Sequence, residues 1–138
     1  MSSGAAIERI AIIGFGEVGG IFGNDFARQG MAVSVFDILL ASRRHRQKML
    51  AKARACGVDA MDKMSDCLAD AQLVISAVTA SSALDVAKQA AGMLHRGQIF
   101  LDINSVSPQT KCRAARHVDP SGANFVEAAV MAPVPPSD

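Results

Sequence analysis

Ile10-Ala11-Ile12-Ile13-Gly14-Phe15-Gly16-Glu17-Val18-Gly19 decides the fold of this chain. The β-branched apolar run reads as a buried strand, and it ends in a G-x-G-x-x-G that opens a helix over residues 17–29. In that setting each glycine has a separate task. Gly14 makes the tight turn, Gly16 lets a pyrophosphate approach backbone that carries no Cβ, and Gly19 lets the helix pack closely on the strand. The helix N-terminus supplies unpaired N–H groups and a partial positive charge, so Gly14, Phe15, Gly16, Glu17, Val18 and Gly19 together form a phosphate-binding turn.

A second strand, 31–36, follows the helix stop at Gly30 and ends at Asp37, where the pattern places an acid on an adenosine ribose. The alternative for Asp37 is to cap the next helix. A carboxylate there repels a 2′-phosphate, which favours NAD over NADP. Arg43, Arg44 and Arg46 sit at the start of a helix over 41–55, either as a solvated face or as partners for that phosphate. S-adenosylmethionine in a methyltransferase is the competing ligand for a glycine turn followed by an acid, and Gly19, Gly20 and Gly23 favour the dinucleotide.

Further along, 58–60 reads as a short edge strand, Ser65 as the N-cap of a helix to 69, and 72–78 as a buried strand. Ser81 or Ser82 opens a helix to about 94, 98–103 is a strand, Ser107-Pro108 starts a helix to 117, and 124–130 is the last strand. This alternation predicts an α/β fold: a Rossmann-type, doubly wound, mainly parallel sheet of about six strands with helices on both faces. The expected organisation is a flexible start over 1–6, the domain over 7–132 and the beginning of a linker over 133–138.

Composition narrows the function. With 14 Lys+Arg against 13 Asp+Glu and 4% aromatics, all Phe, the chain has neither the charge nor the stacking surface of a nucleic-acid binder. Its three cysteines, Cys56, Cys67 and Cys112, have no C-x-x-C spacing, so neither a disulfide framework nor a metal site is expected. No apolar run reaches the roughly 18–20 residues of a membrane span, and the expected location is the cytoplasm.

With these motifs the chain resembles the N-terminal domain of the β-hydroxyacid dehydrogenase family, which includes 6-phosphogluconate and 3-hydroxyisobutyrate dehydrogenases. The family's G-x-G-x-M-G turn is matched with Val18 in place of methionine. Leu73-Val74-Ile75-Ser76-Ala77-Val78-Thr79 resembles its strand leading under the nicotinamide, and Asp102-Ile103-Asn104-Ser105-Val106-Ser107-Pro108 its substrate-binding signature. The resemblance implies that Val78, Thr79 and Asn104 lie near the nicotinamide ribose. Ser105 and Ser107 stand as substrate-binding candidates, with Ser107 also a plain N-cap. Glu127-Ala128-Ala129-Val130-Met131-Ala132-Pro133 lacks the family's Ser-Gly-Gly, which points to a 6-phosphogluconate-dehydrogenase-like branch with a different substrate.

The resemblance further implies oxidation of a small, anionic β-hydroxy acid or reduction of its carbonyl. It places the catalytic lysine in a following helical domain and implies a homodimer formed through it, with apolar side chains exposed near 131–136. Lys48, Lys52, Lys63, Lys88 and Lys111 read as solvated charges, and His45, His95 and His117 have no carboxylate partner at a telling spacing. No catalytic residue is assigned within the chain. A dinucleotide-binding regulatory module without chemistry is the rival reading.

Overall fold

The computed structural model describes residues 6–128; the expected linker, the apolar stretch near 131–136 and the end of the 124–130 strand lie outside the described residues. The elements in chain order are β1 (Arg9–Ile13), α1 (Glu17–Arg28), β2 (Ala32–Phe36), α2 (Arg43–Cys56), β3 (Asp59–Ala60), α3 (Met64–Leu68), β4 (Leu73–Ser76), α4 (Ala83–Ala91), β5 (Ile99–Asp102), α5 (Pro108–Val118) and β6 (Asn124–Glu127). The sheet has six strands in the order β3-β2-β1-β4-β5-β6, and every neighbouring pair is parallel. This is the doubly wound order of dinucleotide-binding folds.

Side-chain alternation along β1 explains why helices cover both faces. Ile10 and Ile12 enter a core with Val33, Val35 and Ala53, against which Phe22 and Phe26 of α1 and Met49 of α2 pack. Ala11 and Ile13 enter the opposite core, with Leu68 of α3, Ala87 of α4 and Val118 of α5. A strand enclosed on both faces must be apolar where it is enclosed, as Ile10, Ala11, Ile12 and Ile13 are, with only Arg9 at its exposed start charged. Each fully enclosed side chain such as Ile12 contributes about 1.5–3 kcal/mol.

The expected elements are all present, with shifted ends. Asp37 caps a 3-10 turn at Ile38–Ala41, which delays α2 to Arg43. Ser65 is not an N-cap: α3 begins at Met64 behind Lys63, because burial of Met64, Cys67 and Leu68 sets its register. A 3-10 turn at Ala80–Ser82 precedes α4, and no side chain caps that helix. Ser107 does cap α5, accepting the Thr110 N–H at 3.2 Å, with Pro108 in the first turn.

Candidate functional site

Strand order reverses beside β1, whose neighbours are β2 and β4. Ligands of such sheets lie outside the carboxyl ends of the strands at this point. Here the chain leaves β1 through the glycine turn. Gly14 has φ +99, and a Cβ on it would run into the Ala77 carbonyl; one on Gly19 would run into the Gly14 carbonyl. At Gly16 a Cβ would meet nothing within 4 Å. Two of the glycines are thus required by the protein's own packing, and the third leaves open space above the first turn of α1. Gly16 is the N-cap of α1 and has no side chain to occupy the first-turn N–H groups. A diphosphate suits this cradle.

Asp37 faces the turn. Its Oδ2 accepts the Phe15 N–H at 2.7 Å and its Oδ1 accepts the Leu39 N–H at 2.9 Å. Capping and ribose binding are compatible, since a carboxylate has about four lone-pair sites and these bonds use two. Phe15 itself is buried in the core, so only its backbone belongs to the turn. Arg46 is committed elsewhere: it donates to the Leu40 carbonyl at 3.0 Å and pairs with Asp62 at 2.6 Å. By hydrogen bond first and charge second, Arg46 holds the Asp62 carboxyl below the usual range. Arg43 and Arg44 extend the exposed start of α2.

Lys52 is not a solvated charge. From α2 its Nζ donates to the carbonyls of Phe15 and Gly16, both at 2.9 Å, and lies 4.5 Å from the Phe15 ring centroid.

At the ends of β4 and β5 the chain is held by a buried polar network. Asn104 Oδ1 accepts the Val78 N–H at 2.7 Å and its Nδ2 donates to Ser76 Oγ at 3.0 Å. That bond to Asn104 turns the backbone out of the ladder, and β4 ends at Ser76. Asp102 Oδ1 accepts the Asn104 N–H at 2.8 Å. Lys111 completes the network, and its reading as a solvated lysine is also corrected. It is buried, donating to the Asp102 carbonyl at 2.8 Å and to Oδ1 at 3.1 Å. It lies on the inner face of α5 with Ala114 and Val118. That i, i+3, i+7 spacing was the available signal.

The candidate residues around this network differ in what they leave free. Thr79 is exposed and its Oγ1 donates to Ser82 Oγ at 3.1 Å. Asn104, Ser105, Ser107, Lys111 and Glu127 line a cleft of about 420 Å³ beside the N-terminus of α5. Ser107 serves as the cap, whereas the exposed Ser105 hydroxyl has no hydrogen bond among the described residues. Also among the described residues, no helix is long and apolar enough to cross a membrane, and no group of three His, Cys, Asp or Glu side chains could hold a metal.

The chain is similar to known proteins in sequence and in fold. The chain is 36% identical over 123 residues to an uncharacterized 28.5 kDa protein of Methanothermus fervidus, covering 89% of this chain and 45% of that one. A conserved hypothetical protein from Sinorhizobium meliloti 1021 superposes with TM-score 0.88 at 33% identity, over 96% of this chain and 44% of the other. The conserved protein MTH1747, described as structurally similar to 3-hydroxyacid dehydrogenases, superposes with TM-score 0.75 at 31% identity, over 90% and 44%. The chain therefore spans less than half the length of these relatives. Residues 9–132 match the NAD binding domain of 6-phosphogluconate dehydrogenase, and with the glycine turn at the switch point of a 3-2-1-4-5-6 sheet the chain belongs to that family.

Proposed function

We propose that residues 7–132 are the dinucleotide-binding domain of an NAD(P)-dependent oxidoreductase acting on the hydroxyl, or the corresponding carbonyl, of a small β-hydroxy acid. The observation that carries this reading is the open space at Gly16 over the uncapped N-terminus of α1, with the Asp37 carboxylate beside it. Gly14, Phe15, Gly16, Glu17, Val18 and Gly19 surround the diphosphate, and Asp37 takes the adenosine ribose. Val78, Thr79 and Asn104 flank the nicotinamide ribose. Ser105, with its hydroxyl free among the described residues, contacts the substrate, while Ser107 keeps its duty as a cap.

Hydride transfer is the chemistry of the bound cofactor, and the domain's part is to orient it. The family match favours the dinucleotide over S-adenosylmethionine. Asp37 favours NAD over NADP. Proton transfer is assigned to the helical domain that follows in the family, through which a homodimer would form; the commitment of Lys111 to Asp102 supports a chain that binds without turnover.

Titrating the chain with NADH and NADPH tests the reading, with saturable binding of both and tighter binding of NADH expected. Tighter NADPH binding reverses the cofactor preference. Hydride transfer to a small keto acid by this chain alone would place the proton donor inside it, and absence of any dinucleotide binding would overturn the reading.

A further inference from the structure

Lys52 reaches the glycine turn by crossing α1 at Gly20. A Cβ at Gly20 would stand 2.9 Å from Lys52 Cε and 3.0 Å from Nζ, so the missing side chain is the passage through which the lysine runs. At its end the ammonium bonds the carbonyls of Phe15 and Gly16. In a trans peptide the C=O of one residue and the N–H of the next point in opposite directions. Gripping the carbonyls of residues 15 and 16 therefore aims the N–H groups of Gly16 and Glu17 away from the ammonium, toward the open side of the turn. Among the described residues no carboxylate pairs with Lys52, since the ion pairs there are Arg46–Asp62 and Lys111–Asp102. Its charge adds to the partial positive charge of the α1 N-terminus.

We propose that Lys52 is a positioning residue for the dinucleotide's diphosphate: it fixes the direction of the two N–H groups from behind and supplies an unneutralised cation to the site, with Gly20 as the passage that lets it do so. The proposal rests on the dinucleotide reading above.

The test is NADH titration of the chain and three variants, Lys52→Met, Gly20→Ala and the double substitution, at low and high salt. Lys52→Met is expected to raise the Kd about tenfold and to flatten its dependence on salt, because one cation behind the turn no longer adds to the field at the anion. Gly20→Ala keeps the charge but displaces the side chain, so a smaller loss is expected, and adding it to Lys52→Met should cost no further affinity. Unchanged affinity in Lys52→Met overturns the proposal. So does weaker binding with the wild-type salt dependence, which means loosened packing alone, and so do losses that multiply in the double variant. If Lys52→Met does not fold, Gly20→Ala decides: unchanged NADH affinity in a variant with the wild-type unfolding temperature overturns the proposal. A wild-type chain that binds no NADH instead defeats the dinucleotide reading, and the proposal with it.

Discussion

The two halves of the sheet's carboxyl edge are each held by a lysine from a helix, and they are built on opposite principles. At the β1 end, Lys52 is half-buried, bonds only backbone carbonyls and leaves amide N–H groups facing open space. At the β4 and β5 ends, Ser76, Asp102, Asn104 and Lys111 are all at least nine-tenths buried and bond one another. Only Asp102 Oδ2 among these buried side-chain atoms has no partner among the described residues. The first arrangement leaves donors free for an anion. The second, apart from Asp102 Oδ2, uses its buried polar groups to fix two loops, and beside it the Ser105 hydroxyl is free among the described residues. One edge thus combines a receptive half with a rigid half, which suits a ligand bound tightly at one end and aligned for chemistry at the other.

The largest effect should come from breaking the rigid half. Lys111→Met leaves Asp102 as an uncompensated buried charge, expected to lower the unfolding free energy by about 3–5 kcal/mol in urea titration. Pairing it with Asp102→Asn should recover much of the loss; a single substitution that costs nothing would show that the pair is not buried. Next is Gly19→Ala, which forces a methyl group against the Gly14 carbonyl. A loss of about 1–3 kcal/mol is expected in the same assay.

A pH dependence separates a buried group of the core from the open edge. Burial on the inner face of α3 pushes the Cys67 thiol up to about 12 from an ordinary 9.0. Below pH 9 the thiol is protonated in both folded and unfolded chains; above it the unfolded chain loses the proton first. Stability should therefore decline as pH rises from 9 toward 12, and Cys67→Ala should flatten that decline. At pH 8 a thiol reagent should modify the exposed Cys112 in the native chain and leave Cys67 intact until unfolding. The smallest effect on stability is expected for Gly16→Ala, within about 0.5 kcal/mol, since its methyl group enters open space.

The contrast between the halves also explains what could be read from the amino acids. The β1 turn is a local pattern: a β-branched run, three glycines at fixed spacing and an acid after the next strand, each needing only its neighbours to be understood. The doubly wound parallel fold and the dinucleotide family followed from it, and the helix cap at Ser107 was legible separately in Ser107-Pro108. Lys52 and Lys111 were hidden for different reasons. Lys52 acts on residues far away in sequence, through a passage at Gly20 that exists only once α1 and α2 are packed. Lys111 stood in register with Ala114 and Val118, yet its charge suggested solvent, because a buried lysine is recognisable only with its partner. Ser65 misled in the opposite way: a good capping residue was overridden by the apolar residues that set α3 against the core.

The central claim is that the free N–H groups at the glycine turn bind a dinucleotide, and titration of NADH into the wild-type chain and into Gly16→Val tests it most directly. The account predicts saturable binding by the wild type and at least about tenfold weaker binding by the variant, with the variant still folded and at most a small drop in unfolding temperature, because its Cβ enters the open space that the diphosphate would occupy. Equal affinity in the two chains, or no binding by the wild type, would contradict it.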